Sequence, residues 1–123
     1  MILKRNLTQI VRIPNPTANG SLIEKSINLD ANYDKCTGWA AKVITASPKA
    51  FEIGLRNPEG QIQDPVFYQH ITSNEGVAIK DRYHEIDIQA KGRQVTMQLT
   101  ALDDFVANTD IQFIFRLENE KTK

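Results

Sequence analysis

The sequence predicts an all-β fold, an antiparallel β-sandwich of jelly-roll type with about eight strands. Alternation is the first reason. In Ile111-Gln112-Phe113-Ile114-Phe115-Arg116-Leu117 the odd-numbered residues are large and apolar, while Gln112 and Arg116 fall on the other side. Successive side chains of a strand point to opposite faces, so the pattern describes a strand with one buried face. Val95-Thr96-Met97-Gln98-Leu99-Thr100 and Phe51-Glu52-Ile53-Gly54-Leu55-Arg56 repeat it. The second reason is turn chemistry about every ten residues, the spacing of a sandwich or barrel. The third is one long connection, which suits a crossover between two sheets.

The first strand is expected over Leu3 to Ile13 and ends at Pro14-Asn15-Pro16, because neither proline can donate to a ladder. Asn19-Gly20 turns the chain into Leu22 to Leu29. The polar run Asp30-Ala31-Asn32-Tyr33-Asp34 separates that strand from Cys36 to Ala46, which Ser47-Pro48 breaks. Phe51 to Arg56 and Gln61 to Phe67 form a hairpin around Asn57-Pro58-Glu59-Gly60. Asparagine first, proline second and glycine fourth is the preference of a type I turn. Asp64-Pro65 inside the second arm marks an edge strand or a bulge. Residues 68 to 83 read as irregular. His84 to Ala90 and Arg93 to Ala101 flank Lys91-Gly92, a tight turn of the hairpin kind. Leu102, Phe105 and Val106 have the spacing of one short helical turn within Leu102 to Asp110, and Ile111 to Glu118 is the last strand. The charged tail 119–123 is expected to fray. The core is expected to hold Phe51, Ile53, Leu55, Ile86, Ile88, Val95, Met97, Leu99, Phe113, Phe115 and Leu117.

At 123 residues the chain suits one domain, 1–123, long enough to bury a two-layer core. Fifteen basic and fifteen acidic residues cancel, so no net field draws it to nucleic acid or to an anionic membrane. The lone Cys36 rules out an internal disulfide and leans toward synthesis in a reducing cytoplasm. Met1-Ile2-Leu3-Lys4-Arg5 places charge where a signal peptide needs its apolar core, and no stretch approaches the length of a membrane span.

Chemistry-bearing residues are sparse. Asp30, Asn32 and Asp34 resemble the opening of an EF-hand loop. Lys35 stands at its glycine position and Ala41 at its bidentate glutamate, so an Asx-rich turn is the better reading. Asp103, Asp104, Asn108 and Asp110 form a second oxygen-rich loop, read as solvated carboxylates. His70 and His84 match no zinc spacing, and no Gly-x-Ser-x-Gly is present. Glu85 and Asp87 share a strand face, where a solvated surface outweighs glycosidase chemistry. Cys36 and Trp39 are expected in the core. The expectation is therefore no catalytic residue, no metal and no cofactor.

Three segments resemble small structural proteins of bacteriophage virions: Phe51–Pro65, His84–Val95 with its Ala90-Lys91-Gly92-Arg93, and Phe113-Ile114-Phe115-Arg116-Leu117. The likeness is one of layout over residues 36 to 118 and contains no diagnostic chemical motif. It implies a jelly-roll, capsid-associated protein of the kind that forms vertices, head decorations or spike bases. Such a protein is a non-enzymatic homo-oligomer that contacts other virion structural proteins, resident in the virion after synthesis in the host cytoplasm. The residues by themselves leave a rival open, a carbohydrate- or cell-surface-binding module. A small cupin-type enzyme is disfavoured for want of a histidine cluster.

If the chain assembles, the expected interface comprises Leu3, Leu7, Ile10 and Val11 in an arm over 1–13, with Tyr68 and Tyr83 bracketing the irregular segment. The arm either packs on a neighbouring copy or partner, or completes the protein's own sandwich.

Overall fold

The computed structural model describes residues 2–45, 48–72 and 83–120, with side chains from 5 to 119 within those segments. The strands are β1 (Ile2–Ile13), β2 (Leu22–Asn28), β3 (Lys35–Val43), β4 (Phe51–Asn57), β5 (Gly60–Phe67), β6 (His84–Gln89), β7 (Gln94–Ala101) and β8 (Thr109–Glu120). They form two four-stranded sheets, β1-β8-β3-β6 and β2-β7-β4-β5, in which every named pair is antiparallel. All connections but β4–β5 cross between the sheets, and the strand orders interleave as in a jelly roll.

The alternation read from the sequence sets which faces meet. Phe51, Ile53, Leu55, Val95, Met97, Leu99, Ile111, Phe113, Phe115 and Leu117 are fully buried, while Ile86 and Ile88 are half-buried against them. Each large apolar side chain removed from water contributes roughly 1.5–3 kcal/mol, which makes this layer the main source of stability. Trp39 is also fully buried and stacks on Phe113, with ring centroids 6.1 Å apart.

Residues 2–13 are not a free arm. Over Ile2–Ile13 the segment is β1, paired without a register shift from Ile2↔Glu120 to Ile13↔Thr109. Val11 and Ile13 face inward and are buried, because the inward residues of β1 lie opposite the buried face of β8, Val11 beside Ile111 and Ile13 beside Thr109. The second of the two expectations therefore holds. Asn119 and Glu120 are strand residues paired with β1, so fraying of the tail does not begin there; 121–123 lie outside the described residues.

Two local expectations need correction. Leu102–Asp110 forms no helical turn. Phe105 makes a bridge to Thr17, with hydrogen bonds of 3.0 and 2.7 Å, so the backbone groups a helix would need are spent on another loop. Lys91-Gly92 is a tight turn, with φ of 36° and 77°, yet it joins strands of opposite sheets and not the arms of a hairpin. Its neighbours bond across to the β2–β3 loop, Ala90 N–H to the Asp34 carbonyl and Lys91 N–H to that of Tyr33. One short helical element was not anticipated, a 3-10 turn over Tyr68–His70. The rest of the irregular segment, 73–82, lies outside the described residues, as do 46 and 47 at the end of the expected third strand.

Asp64-Pro65 sits on β5, an edge strand whose pairing with β4 shifts register twice, the first time beside the proline. The loops after β1, β3 and β7 meet at one end of the sandwich. Gly20 N–H bonds to the Ala101 carbonyl, Leu102 N–H to Ala50 and Ile44 N–H to Asp110.

Candidate functional site

Arg116 organises the outward face of the first sheet. It projects from β8 beside Gly38 of β3, where a Cβ would lie 2.9 Å from a guanidinium nitrogen, so glycine leaves the room that the side chain occupies. A β-bulge between Cys36 and Gly38 brings Thr37 within reach. The guanidinium donates to Thr37 Oγ1 at 3.1 Å, to the Thr37 carbonyl at 3.0 Å and to both Glu85 oxygens at 3.1 and 3.0 Å. Thr37 Oγ1 donates to Glu118 at 2.7 Å, and the Tyr83 ring lies under the guanidinium at 5.0 Å. Glu85 is therefore one end of an ion-pair network, and Tyr83 is its aromatic floor. Donors already engaged in this way position a sheet; they offer no open group for acid–base chemistry.

Several other carboxylates hold loops and strand ends, while Asp87 lies exposed on β6. Asp30 accepts the Asn32 backbone N–H at 2.9 Å and pairs with Arg5. The backbone donor, with Arg5 beside it, holds the Asp30 carboxyl below the usual carboxylate range. This is the Asx turn expected from composition. Asp104 accepts the Asn19 N–H at 2.9 Å, Asp103 the Asp104 N–H at 2.7 Å and Asn108 the Asn15 N–H at 2.8 Å. Asp110 takes the Arg12 guanidinium at 2.7 Å, and that hydrogen bond lowers its pKa. Among the described residues no three His, Cys, Asp or Glu side chains gather closely enough to hold a metal ion.

His84 bonds through Nε2 to the Ile71 carbonyl at 2.8 Å and packs tilted against Trp39, with ring centroids 5.0 Å apart, a packing role. His70 is exposed at the end of the 3-10 turn. Burial pushes the Cys36 thiol up to about 11, so it is a protonated core residue at neutral pH.

Among the described residues two surface hollows stand out. One, of about 410 Å³, lies between the β4–β5 turn and β6 and is lined by Glu59, Gln61, Ile62, Ile86, Asp87 and Ile88. The other, of about 520 Å³, is lined by Asp34, Lys35, Gln89, Lys91 and Arg93. Two ion pairs engage their charged residues, Arg93 with Glu59 at 2.6 Å between the hollows and Lys91 with Asp34 at 3.0 Å in the second.

The expected interface residues scatter. Val11 is a core residue, which corrects its place in a contact surface, and Leu7 is half-buried against the same core. Both alternate inward on β1, and their side chains serve the protein's own core. Tyr68 is half-buried, stacked on Phe51 at 4.5 Å, and Tyr83 lies beneath Arg116. The side chain of Leu3 lies outside the described residues. Ile10 alone of the set is substantially exposed, on the outward face of β1. Leu22, Ile44, Leu102 and Val106 are equally exposed and were not anticipated; they sit on the loops and strand ends of one end of the sandwich. Loop residues have no periodicity, so nothing in the sequence distinguished them.

Lys25 was also missed, although its signal was present. Ile23, Lys25 and Ile27 lie opposite Leu99, Met97 and Val95, so the lysine sits on the inward register of an edge strand. Its ammonium leaves the core sideways and reaches the Ile10 carbonyl of β1 at 3.4 Å. No family model, curated protein or solved structure matches this chain.

Proposed function

We propose that this protein is a non-enzymatic structural subunit of a bacteriophage virion, a vertex, decoration or spike-base protein that works through protein–protein contacts. Jelly rolls serve as capsid, lectin and cupin domains. What favours the first use here is that the interior is filled. Trp39, Phe51, Met97, Phe113 and Phe115 occupy the space between the sheets with no measurable exposure. A cupin or a ligand-binding barrel keeps that space open, so this molecule acts through its outer surface. Of the five exposed large apolar side chains among the described residues, four lie at the loop end, where they serve contact with another protein better than contact with water. The reading calls for no cofactor and no nucleic acid, with other virion proteins and further copies of the chain as partners.

The carbohydrate-binding alternative needs an exposed ring for sugar stacking, and no described Trp or Tyr is fully exposed: Trp39 is buried, Tyr33 packs against the core, Tyr68 lies on Phe51 and Tyr83 under Arg116, while Phe67 is half-buried beside Tyr68. Particles purified from lysates of the phage that encodes the chain test the proposal. Quantitative mass spectrometry should find the chain in a fixed ratio to the major capsid protein. Its absence from intact particles, or specific retention on a glycan array, overturns it.

A further inference from the structure

We propose that the outer edge of β1 pairs antiparallel with β1 of a second copy, centred on Gln9, joining two sandwiches through one continuous sheet. This rests on the assembly reading above and identifies one of its contacts. It differs from arm exchange, because β1 keeps all its pairing with β8.

The argument begins with the four sheet edges, since an unpaired edge invites another strand unless something blocks it. β5 is blocked by Pro65 and two register shifts. β2 carries the inward-register Lys25, and β6 spans only His84–Gln89. β1 runs from Ile2 to Ile13 with no proline, no glycine and no register shift, and among the described residues no strand lies on its second edge. Its middle, Asn6-Leu7-Thr8-Gln9-Ile10-Val11, has no charged side chain. That composition favours strand addition.

Geometry fixes the phase. The Ile10 carbonyl accepts Lys25 Nζ across the sandwich edge, so it is turned away from β8. Strand alternation then places the backbone groups of Asn6, Thr8 and Ile10 on the free edge. An antiparallel partner must offer the same set, which allows centres on Leu7, Thr8 or Gln9. Charge chooses among them. Centred on Thr8, Lys4 meets Arg12 of the second copy, and like charges directly opposite are destabilising. Centred on Leu7, Lys4 faces exposed Ile10. Centred on Gln9, Ile10 lies opposite Thr8, Leu7 opposite Val11 and Arg12 opposite Asn6, with no like charges opposed. Thr8 and Ile10 exchange backbone hydrogen bonds on both sides of the two-fold axis, and the long Lys25 contact yields to them. Such an interface is self-complementary, as a closed dimer requires.

A proline at position 8 separates this edge from the fold. The Thr8 N–H faces outward, so Thr8→Pro leaves the β1–β8 ladder bonded and removes the two symmetry-related bonds of the dimer. Sedimentation equilibrium should show a concentration-dependent dimer for the wild type. Thr8→Pro should raise the dissociation constant at least about tenfold, from about 1 kcal/mol for each of two hydrogen bonds. Gln9→Cys sits at the axis in a non-hydrogen-bonded pair, where Cβ atoms approach most closely, and should give a disulfide dimer under mild oxidation without denaturant. A wild type that stays monomeric at millimolar concentration overturns the proposal, as does a folded Thr8→Pro variant that dimerises undiminished. Should Thr8→Pro fail to fold, the Gln9→Cys result decides, and absence of the cross-link overturns it. None of these results touches the virion reading, which fails by the chain's absence from particles or its retention on a glycan array.

Discussion

Phe113 and Gln112 are neighbours with opposite fates, one fully buried on β8 and the other on its outward face. Phe113→Ala should lower stability by about 3–5 kcal/mol, because the stack on Trp39 leaves a cavity that the sheets cannot close. Gln112→Ala should change it by no more than about 0.5 kcal/mol. A urea melt of each variant measures the difference, and equal midpoints would contradict the strand's orientation. Gly38 supplies a sharper test. An added methyl group there displaces the Arg116 guanidinium from Thr37 and Glu85, costing about 1–2 kcal/mol. In an Arg116→Ala background Gly38→Ala should cost almost nothing, since the neighbour it meets is gone. Additive losses in the double-mutant cycle would mean that Arg116 is not the reason glycine stands there. The glycine's position could be read from the sequence, but its partner is 78 residues away and could not.

Among the elements, the β4–β5 hairpin was the most legible, because its determinants are local. Asn57 Oδ1 accepts the backbone N–H groups of Glu59 and Gly60, each at 3.1 Å, and Gly60 takes a φ of 142°. Asn57→Ala should cost about 1 kcal/mol through those two bonds, read as a lower thermal midpoint with unchanged strand content by circular dichroism. An unaltered midpoint would show that the turn is held by the strands alone. Lys91-Gly92 teaches the opposite lesson. Residues with positive φ identify a tight turn, but whether its arms pair with each other depends on which loop reaches their backbone groups first. Here the β2–β3 loop does. Phe105 likewise has helical spacing with its neighbours, and its bridge to Thr17 overrides it.

At the scale of the molecule, β1 and β8 join the two ends of the described chain along their whole length. Removal of residues 1–13 strips Val11 and Ile13 from the core and exposes a central strand, so the truncated chain should not fold. A cooperative thermal transition in that variant would show β1 to be dispensable. Acid should also weaken the fold, and the sign follows from the depressed carboxyls. Glu24 is lowered by the Gln98 amide and Arg56, Asp30 by the Asn32 N–H and Arg5, and Asp110 by Arg12. Groups held below their unfolded values contribute stability above the unfolded pKa, about 4, and lose it as pH falls through the folded value. The urea midpoint should therefore be level from about pH 8 to 5 and decline below about pH 4, less steeply in Asp110→Asn. A midpoint that rises on acidification would contradict these pairings.

The sequence by itself determined the class, the strands and the buried faces of this protein. Side-chain alternation and turn chemistry are properties of a few adjacent residues, so Phe51, Val95 or Phe113 declare their orientation without knowledge of a partner. Only the tertiary structure decided the strand order, and with it the meaning of the first thirteen residues. The same alternating run suits an arm on a neighbour or an edge strand of its own sheet, because local hydrophobicity does not say which strand will lie beside it. The inward face of β8 beside Val11 and Ile13, made there of buried Ile111 and Thr109, settles that choice. The candidate surfaces were the least legible. Arg116 with Thr37, and Lys25 with Ile10, are joined by the fold across 79 and 15 residues, and no spacing rule spans such distances.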